Sequence, residues 1–455
     1  MRWMLRLVEV REDARPRSID LMEITRPDSL HEITGLGLTL SEAKQLLASV
    51  QQAVVSAQGD RQATLRPTCR SCSGPCRVKD WRLHRIATLF GGVALPLRRF
   101  VCRRCSRTET GVEWPSYCRS TLELEQLQAH LSALLPYREA SDLLRHLLPV
   151  DAGRSPETFR GHTLKVGEQL DQVATIRPTS GASMITVTLD STFIRGREPG
   201  NRSLEVRIGN VETPDGGRQV FGAVARADTD VALLIRRSLE AVGGSPDTNL
   251  TTFTDGDPGL RSILAKVGAR APPIADWFHI AMRLEHAKQA ASGLSTDEPG
   301  RMQAKTLIVA EVERLHWRTW NGKAKNARIS LDRIRKVMRV FRGERGHRGT
   351  GAPSRRLWTA LHEVDDYLTG QSAWLVNYAE RYRAGLRVGT SVTEGTANFL
   401  INRRMNKSQQ MRWSRRGADL LLQVRCAVFN GALGSGFGQL FEAVPSPGRQ
   451  LAPAA

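Results

Sequence analysis

At Ser183 the apolar residues change period, and that change constrains the fold more than any other feature of the chain. Ile185, Val187 and Leu189 alternate with Thr186, Thr188 and Asp190, and Leu204, Val206 and Ile208 alternate with Glu205 and Arg207. A third run, 219–225, follows the turn signal Pro214-Asp215-Gly216-Gly217. Period two is the pattern of strands with unlike faces. Residues 231–242 then read as helix, 250–254 as strand, 259–267 as helix and 273–275 as a short fifth strand. Three hairpin-linked strands followed by alternating helix and strand predict an α/β domain built on a mixed five-stranded sheet.

Upstream, six of the seven cysteines fall within 66–120. Cys69-x2-Cys72 is followed after 29 residues by Cys102-x2-Cys105. Two cysteines separated by two residues fit one tight knuckle, and two knuckles complete a four-sulphur zinc site. The interval reads as strand, Gly91-Gly92 turn, strand, so 66–120 is expected to be a zinc ribbon holding one structural zinc ion. Cys76, Cys118 and His84 are spare ligands should one of the four be replaced. Cysteines so arranged argue against a disulfide framework. With no apolar stretch long enough for a membrane span or a signal peptide, the cytoplasm is the expected location and no membrane the expected partner.

Lys plus Arg number 66 against 46 Asp plus Glu, a net charge of +20 in 455 residues. A chain this basic points to a polyanionic partner, and Arg matches phosphate in two-pronged fashion. Between residues 314 and 356 there are fourteen Lys or Arg, Arg335 and Lys336 among them, against Asp332 and Glu344. Trp317 and Trp320 stand at the start of that stretch, placed to stack on an unpaired base. Around it, 280–388 reads as an all-helical insertion, with a loop at 343–353.

Residues 121–178 read as helices joined by short turns, Ser155-Pro156 starting a capped helix with Phe159, Val166 and Leu170 inward and Arg160, His162 and Lys165 outward. That layout is helix-turn-helix-like and equally that of a plain helical hairpin. Residues 1–65 carry one helical stretch, 40–55, which Ser41 could cap, and are expected to be a helical N-terminal region. Residues 431–455 end in a Pro- and Ala-rich tail expected to be partly disordered.

Phosphodiester transfer by two divalent ions needs a few carboxylates brought together from separate elements. Asp190 ends an otherwise apolar and Thr-rich strand, where a carboxylate without a partner is costly. Asp255 ends the fourth strand, in Thr254-Asp255-Gly256-Asp257, with Asp257 its competitor. Glu394 starts a helical block running to residue 428, and Asn398 follows on the same helical face. Each acid also has an ordinary structural reading: a cap for Asp190, a turn residue for Asp255 or Asp257, a first-turn helix acid for Glu394.

The order of elements is ribonuclease-H-like. Asp190-Ser191-Thr192, Thr254-Asp255-Gly256-Asp257, Asp276-Trp277-Phe278-His279 and Glu394-Gly395-Thr396-Ala397-Asn398 together resemble the ISKra-type bacterial insertion-sequence transposases, within the Mutator-like group of DDE transposases. The stretch from Arg403-Arg404-Met405 through Lys407 to Trp413-Ser414 is similar to the tail of that group. The resemblance covers about 66–430. It implies that Asp190, Asp255 and Glu394 are catalytic and hold two Mg2+ (or Mn2+) ions in a catalytic domain spanning 179–430. Asp276-x2-His279 matches the group's Cys-or-Asp-x2-His signature in a supporting role, and a hydrogen-bonded core histidine is the plainer reading of His279. Asn398 and Asp257 are further supporting residues. Arg160, Lys165, Trp317, Trp320, Arg335, Lys336, Arg403, Arg404 and Lys407 are the expected DNA contacts. The implied partners are double-stranded DNA, as terminal inverted repeats and as target, and a second copy of the chain in a homodimer or larger assembly.

Overall fold

The computed structural model describes residues 1–11, 14–29, 36–112, 119–170, 181–226, 230–342, 352–390, 395–405 and 411–433. The chain forms two compact units, Met1–Val173 with Ala427–Ala455, and Ala174–Cys426. Among the described residues no helix is long and apolar enough to cross a membrane. The expected tail beyond residue 433, the loop at 343–351, Cys118, Lys407 and Glu394 lie outside the described residues.

The first unit opens with an antiparallel hairpin, β1 (Arg2–Arg11) and β2 (Ala14–Thr25). The N-terminal region is therefore not helical throughout. Trp3, Leu5 and Leu7 pair across from Ile24, Met22 and Ile19, an alternation broken by register shifts at Leu5/Arg6 and Glu9/Arg11. The helical stretch is α1 (Leu40–Thr64), longer than its periodicity suggested. Its cap is Thr39, not Ser41. The Thr39 hydroxyl accepts from Glu42 N and the Glu42 carboxylate accepts from Thr39 N, a reciprocal capping box.

Next comes a three-stranded antiparallel sheet, β3 (Cys76–Thr88), β4 (Gly91–Cys102) and β5 (Thr108–Thr110), in the order β3-β4-β5. Gly91 closes the β3–β4 turn at φ +110°, a conformation few side chains tolerate. Three helices follow: α2 (Leu122–Leu134), α3 (Tyr137–Leu147) and α4 (Pro156–Leu170). Ser155 caps α4 by accepting from Thr158 N at 3.1 Å. Phe159 and Val166 are buried as expected. His162 is not outward: its ring meets Gln128 Oε1 at 2.5 Å and Ser120 Oγ at 3.2 Å.

The second unit carries the mixed α/β sheet. Its strands are β6 (Met184–Glu198), β7 (Asn201–Glu212), β8 (Arg218–Val224), β9 (Asn249–Thr254) and β10 (Ile274–Ala275), in the order β10-β9-β6-β7-β8. β7 runs antiparallel to both β6 and β8, whereas β9 runs parallel to β6 and β10 parallel to β9. Ile185, Val187 and Leu189 face α5 (Val231–Ala241) and α6 (Pro258–Lys266), burying Ile235, Leu239, Leu260 and Leu264. On the other face α12 (Arg415–Phe429) lies against β8, where Asp419 Oδ1 accepts from Val224 N and Gln423 donates to Gly222 O.

A helical insertion follows β10: α7 (Trp277–Ser292), α8 (Arg301–Trp320), α9 (Ala324–Val337), α10 (Pro353–Gly370) and α11 (Tyr378–Arg383). Ile280, Leu284, Ile308, Leu315, Leu331, Ile334, Leu357 and Leu361 form its core. The block after residue 394 is not one helix. Residues Asn398–Asn402 form a π-helical turn, Arg403–Met405 a single helical turn, and α12 starts only at Arg415.

Candidate active site and metal centre

Asp190 does not end its strand, as its sequence setting suggested. β6 continues to Glu198 against β7, but its parallel pairing with β9 stops at Leu189–Thr254. Thr254 also pairs with Ala275 of β10. Asp190, Asp255 and Asp276 are thus the residues one step beyond a single row across three adjacent parallel strands. Side chains alternate along a strand, so all three point to the face opposite α5 and α6. Adjacent strands stand about 4.8 Å apart, within reach of a shared divalent ion for neighbouring carboxylates.

The three carboxylates are held differently. Asp276 is only 1% exposed and caps α7. Its Oδ1 accepts from Phe278 N at 2.9 Å and Thr390 N at 2.8 Å, and its Oδ2 accepts from the Thr390 hydroxyl. Asp190 Oδ1 accepts from Ser191 N at 2.7 Å, and Asp255 Oδ1 from Asp257 N at 3.0 Å. Among the described residues no donor reaches the second oxygen of Asp190 or Asp255. Those two carboxylates keep lone pairs for a cation, while Asp276 spends its own on the fold. His279 Nε2 stands 3.6 Å from Asp276 Oδ2, one helical turn into α7, so Asp276 and His279 do lie together.

Burial pushes the Asp190 carboxyl up to about 6; the facing His279 and the Ser191 N–H oppose the shift, and Asp255 and Asp276 add to it. A half-buried carboxyl repelled by two others is costly to ionise without a compensating positive charge.

Asp257 has a structural role: it caps α6, accepting from Gly259 N at 2.7 Å and Leu260 N at 3.0 Å. Asp255 is braced from the insertion instead. Tyr367 on α10 donates its hydroxyl to Asp255 O at 2.8 Å, and Gln371 donates to Gly256 O at 3.3 Å. Gly256 has φ +101°, and a Cβ there would meet the Gln371 amide at 2.4 Å. Tyr367, Gln371 and Thr390 were not singled out from sequence, because each lies more than a hundred residues from the acid it supports. Asn398 is exposed at the start of the π-helical turn. The third expected acid, Glu394, is outside the described residues.

In the first unit, Cys69, Cys72, Cys102 and Cys105 bring their sulphurs within 4.8 Å of one another. The separations Cys69–Cys105, Cys72–Cys102 and Cys72–Cys105 are 3.5, 3.5 and 3.6 Å. Four thiolates about 2.3 Å from a tetrahedral zinc stand about 3.8 Å apart, so the cluster can hold a structural metal such as zinc. The two knuckles repeat one backbone pattern. Ser73 N donates to Cys69 O and Ser106 N to Cys102 O, and both serines sit at positive φ, 53° and 58°. The Cys105 N–H holds the Cys102 thiol down to about 6, burial opposing and the Arg104 N–H at 3.3 Å helping. Cys76 packs beside the cluster in the small core with Phe100, and His84 lies along β3 opposite Leu95.

Several expected DNA contacts are engaged within the fold. Lys165 pairs at 2.7 Å with the buried Glu125, and Arg160 pairs with Glu157. Arg335 pairs with Asp365 at 2.8 Å. Trp320 is partly buried against the insertion's core, packed at 4.7 Å from the Trp277 ring and stacked on Tyr378. Arg404 is fully buried, over Trp413. Trp413 in turn bridges to the far end of β6, donating to Arg195 O and accepting from Arg197 N, so this stretch closes the sheet's end. Trp317 is 52% exposed with its Nε1 on Glu313, and Lys336 and Arg403 are exposed.

Compared with protein-family models and with curated proteins, the sequence matches none.

Proposed function

We propose that this chain is a DDE transposase, a metal-dependent enzyme that cuts DNA at the ends of a mobile element and joins them to target DNA. One observation carries the reading. Asp190 and Asp255 directly follow the last paired residues, Leu189 and Thr254, of two parallel strands, and among the described residues no donor reaches the second oxygen of either, in a basic chain. The strand order β10-β9-β6-β7-β8, three antiparallel strands extended by two parallel ones, supports a ribonuclease-H-like domain.

In this reading Asp190 and Asp255, with Glu394, would hold two Mg2+ (or Mn2+) ions. Bound there, the metals would supply activation of the attacking oxygen and neutralisation of the leaving one. The chain's own residues prepare the site. Tyr367 and Gln371 fix the backbone carrying Asp255, and Asp276 anchors α7 so that His279 faces Asp190. His279 would contact the scissile phosphate. The cysteine ribbon with its zinc, and the exposed cations, would bind the DNA ends; bringing two ends together would take two or more copies.

The test is a cleavage and strand-transfer assay on end-containing DNA with Mg2+, comparing wild type with Asp190→Asn and Asp255→Asn. Loss of both steps in the variants is expected. Equal activity in wild type and variants would remove the catalytic assignment, and cleavage of branched DNA without joining would mark a structure-specific nuclease.

A further inference from the structure

The cysteine ribbon carries a second concentration of basic charge. Residues 66–110 hold eleven Lys or Arg against Asp80 and Glu109. Arg99 is taken by Asp80 and Arg70 faces Glu109, while Arg77, Lys79, Arg82, Arg85, Arg103 and Arg104 are exposed. Beside the cations of β3 lies an apolar patch. Cross-strand pairs Trp81–Arg98, Leu83–Pro96 and Arg85–Ala94 share one face of the β3–β4 hairpin. The opposite face buries Val93 and Leu97, yet Trp81 is 51% exposed and Leu83 55%. The Arg98 guanidinium lies over the indole at 4.7 Å and is itself tied to Ala63 O at 2.7 Å. That fixes the ring in place with half of its surface open.

We propose that this hairpin face is a stacking platform for unpaired bases of single-stranded DNA, with Trp81 as the base-stacking residue, Leu83 extending the apolar surface, and Arg85 on the same face, with Arg77, Lys79 and Arg82 along the edge strand β3, following the phosphates. The charge selects a polyanion over a protein surface. The apolar centre selects a single strand over a duplex, because paired bases offer edges and phosphates but no open ring faces, whereas an unpaired base stacks on an aromatic side chain. Arg98 behind the ring adds a cation–π contact that holds the indole rigid. The ribbon would then grip a frayed or unpaired element end, a state that strand exchange creates.

The choice of DNA rests on the transposase reading, but the test measures binding alone, so loss of catalysis would leave it standing. The zinc-loaded full chain, carrying Asp190→Asn, is titrated by fluorescence anisotropy with a labelled 20-nucleotide single strand and a 20-base-pair duplex. Trp81→Leu is expected to weaken single-strand binding about tenfold and duplex binding less than about twofold, with zinc content and salt slope unchanged. Trp81→Phe should keep binding within about threefold of wild type, since it keeps a π-face. Arg85→Ala should instead lower the salt slope on both DNAs. Single-strand affinity unchanged in Trp81→Leu, or an equal loss on single strand and duplex, would overturn the proposal.

Discussion

Burying the Asp190 carboxyl beside Asp255 and Asp276 makes the metal-free site a local source of instability, and that is measurable. Its pKa is raised from 3.8 to about 6, chiefly by burial. A group that binds its proton more tightly in the folded state stabilises fully at low pH and loses that contribution as pH rises from about 4 through about 6. In metal-free protein, Asp190→Asn should therefore match wild type near pH 4 and gain up to about 3 kcal/mol by pH 7. Mg2+ should raise the melting temperature of wild type above pH 6 and leave Asp190→Asn unmoved. Identical Mg2+ responses would mean that Asp190 holds no ion. Gly256 offers a second residue-scale test. Its φ of +101° strains any other residue, and a Cβ there would push the Gln371 amide aside. Gly256→Ala should cost about 1–3 kcal/mol and displace the Asp255 backbone. Adding Gln371→Ala should recover part of the stability but not the backbone strain. A Gly256→Ala protein as stable and active as wild type would show that the Tyr367–Gln371 brace is idle.

At the scale of elements, the two cysteine knuckles, if they hold a metal, would depend on it more than on packing, since their core is little more than Cys69, Cys76, Phe100 and Cys102. Cys72→Ser should lose the ion and unfold 66–110 while the α/β unit keeps its own core, seen as loss of zinc on chelator titration together with protease cuts confined to the ribbon. Zinc retained at wild-type affinity would count against the four-sulphur site. Why the ribbon and sheet were legible in the sequence, and other parts were not, follows from where the information lies. Paired cysteines and period-two runs such as Ile185-Val187-Leu189 are local signals, and they located β3–β4 and the five-stranded sheet. The N-terminal hairpin hid because register shifts break its alternation and charged residues fill its outer face, as in the Arg6–Asp20 pair. The run of β6 beyond Asp190 was missed because pairing with one neighbour continues after pairing with the other stops. Partners for Lys165, Arg335 and Trp320 come from distant helices, so spacing alone could not show that these side chains were already occupied. Of the candidate site, Asp190 and Asp255 were legible as carboxylates closing apolar runs; the braces of Asp255 and Asp276, 112 and 114 residues away, were not.

For the whole molecule, net charge misstates where a polyanion is held, because ion pairing has already consumed much of it. The helical insertion is rich in Lys and Arg, but Glu311 gathers Arg314, Arg318 and Arg333, and Arg335 is held by Asp365. The ribbon has only two acids for eleven cations. Each phosphate neutralised on duplex DNA releases close to one counterion, so the slope of log affinity against log salt counts the contacts at about 0.9 per phosphate. Neutralising Arg82, Arg85 and Arg103 to Gln should therefore reduce the slope by about 2 to 3 on duplex DNA. The same treatment of Arg314, Arg333 and Arg335 should change the slope by less than about 1, while lowering the melting temperature, because it strips partners from Glu311 and Asp365. The opposite ranking would shift the main DNA-binding surface to the insertion and leave the ribbon with a structural role.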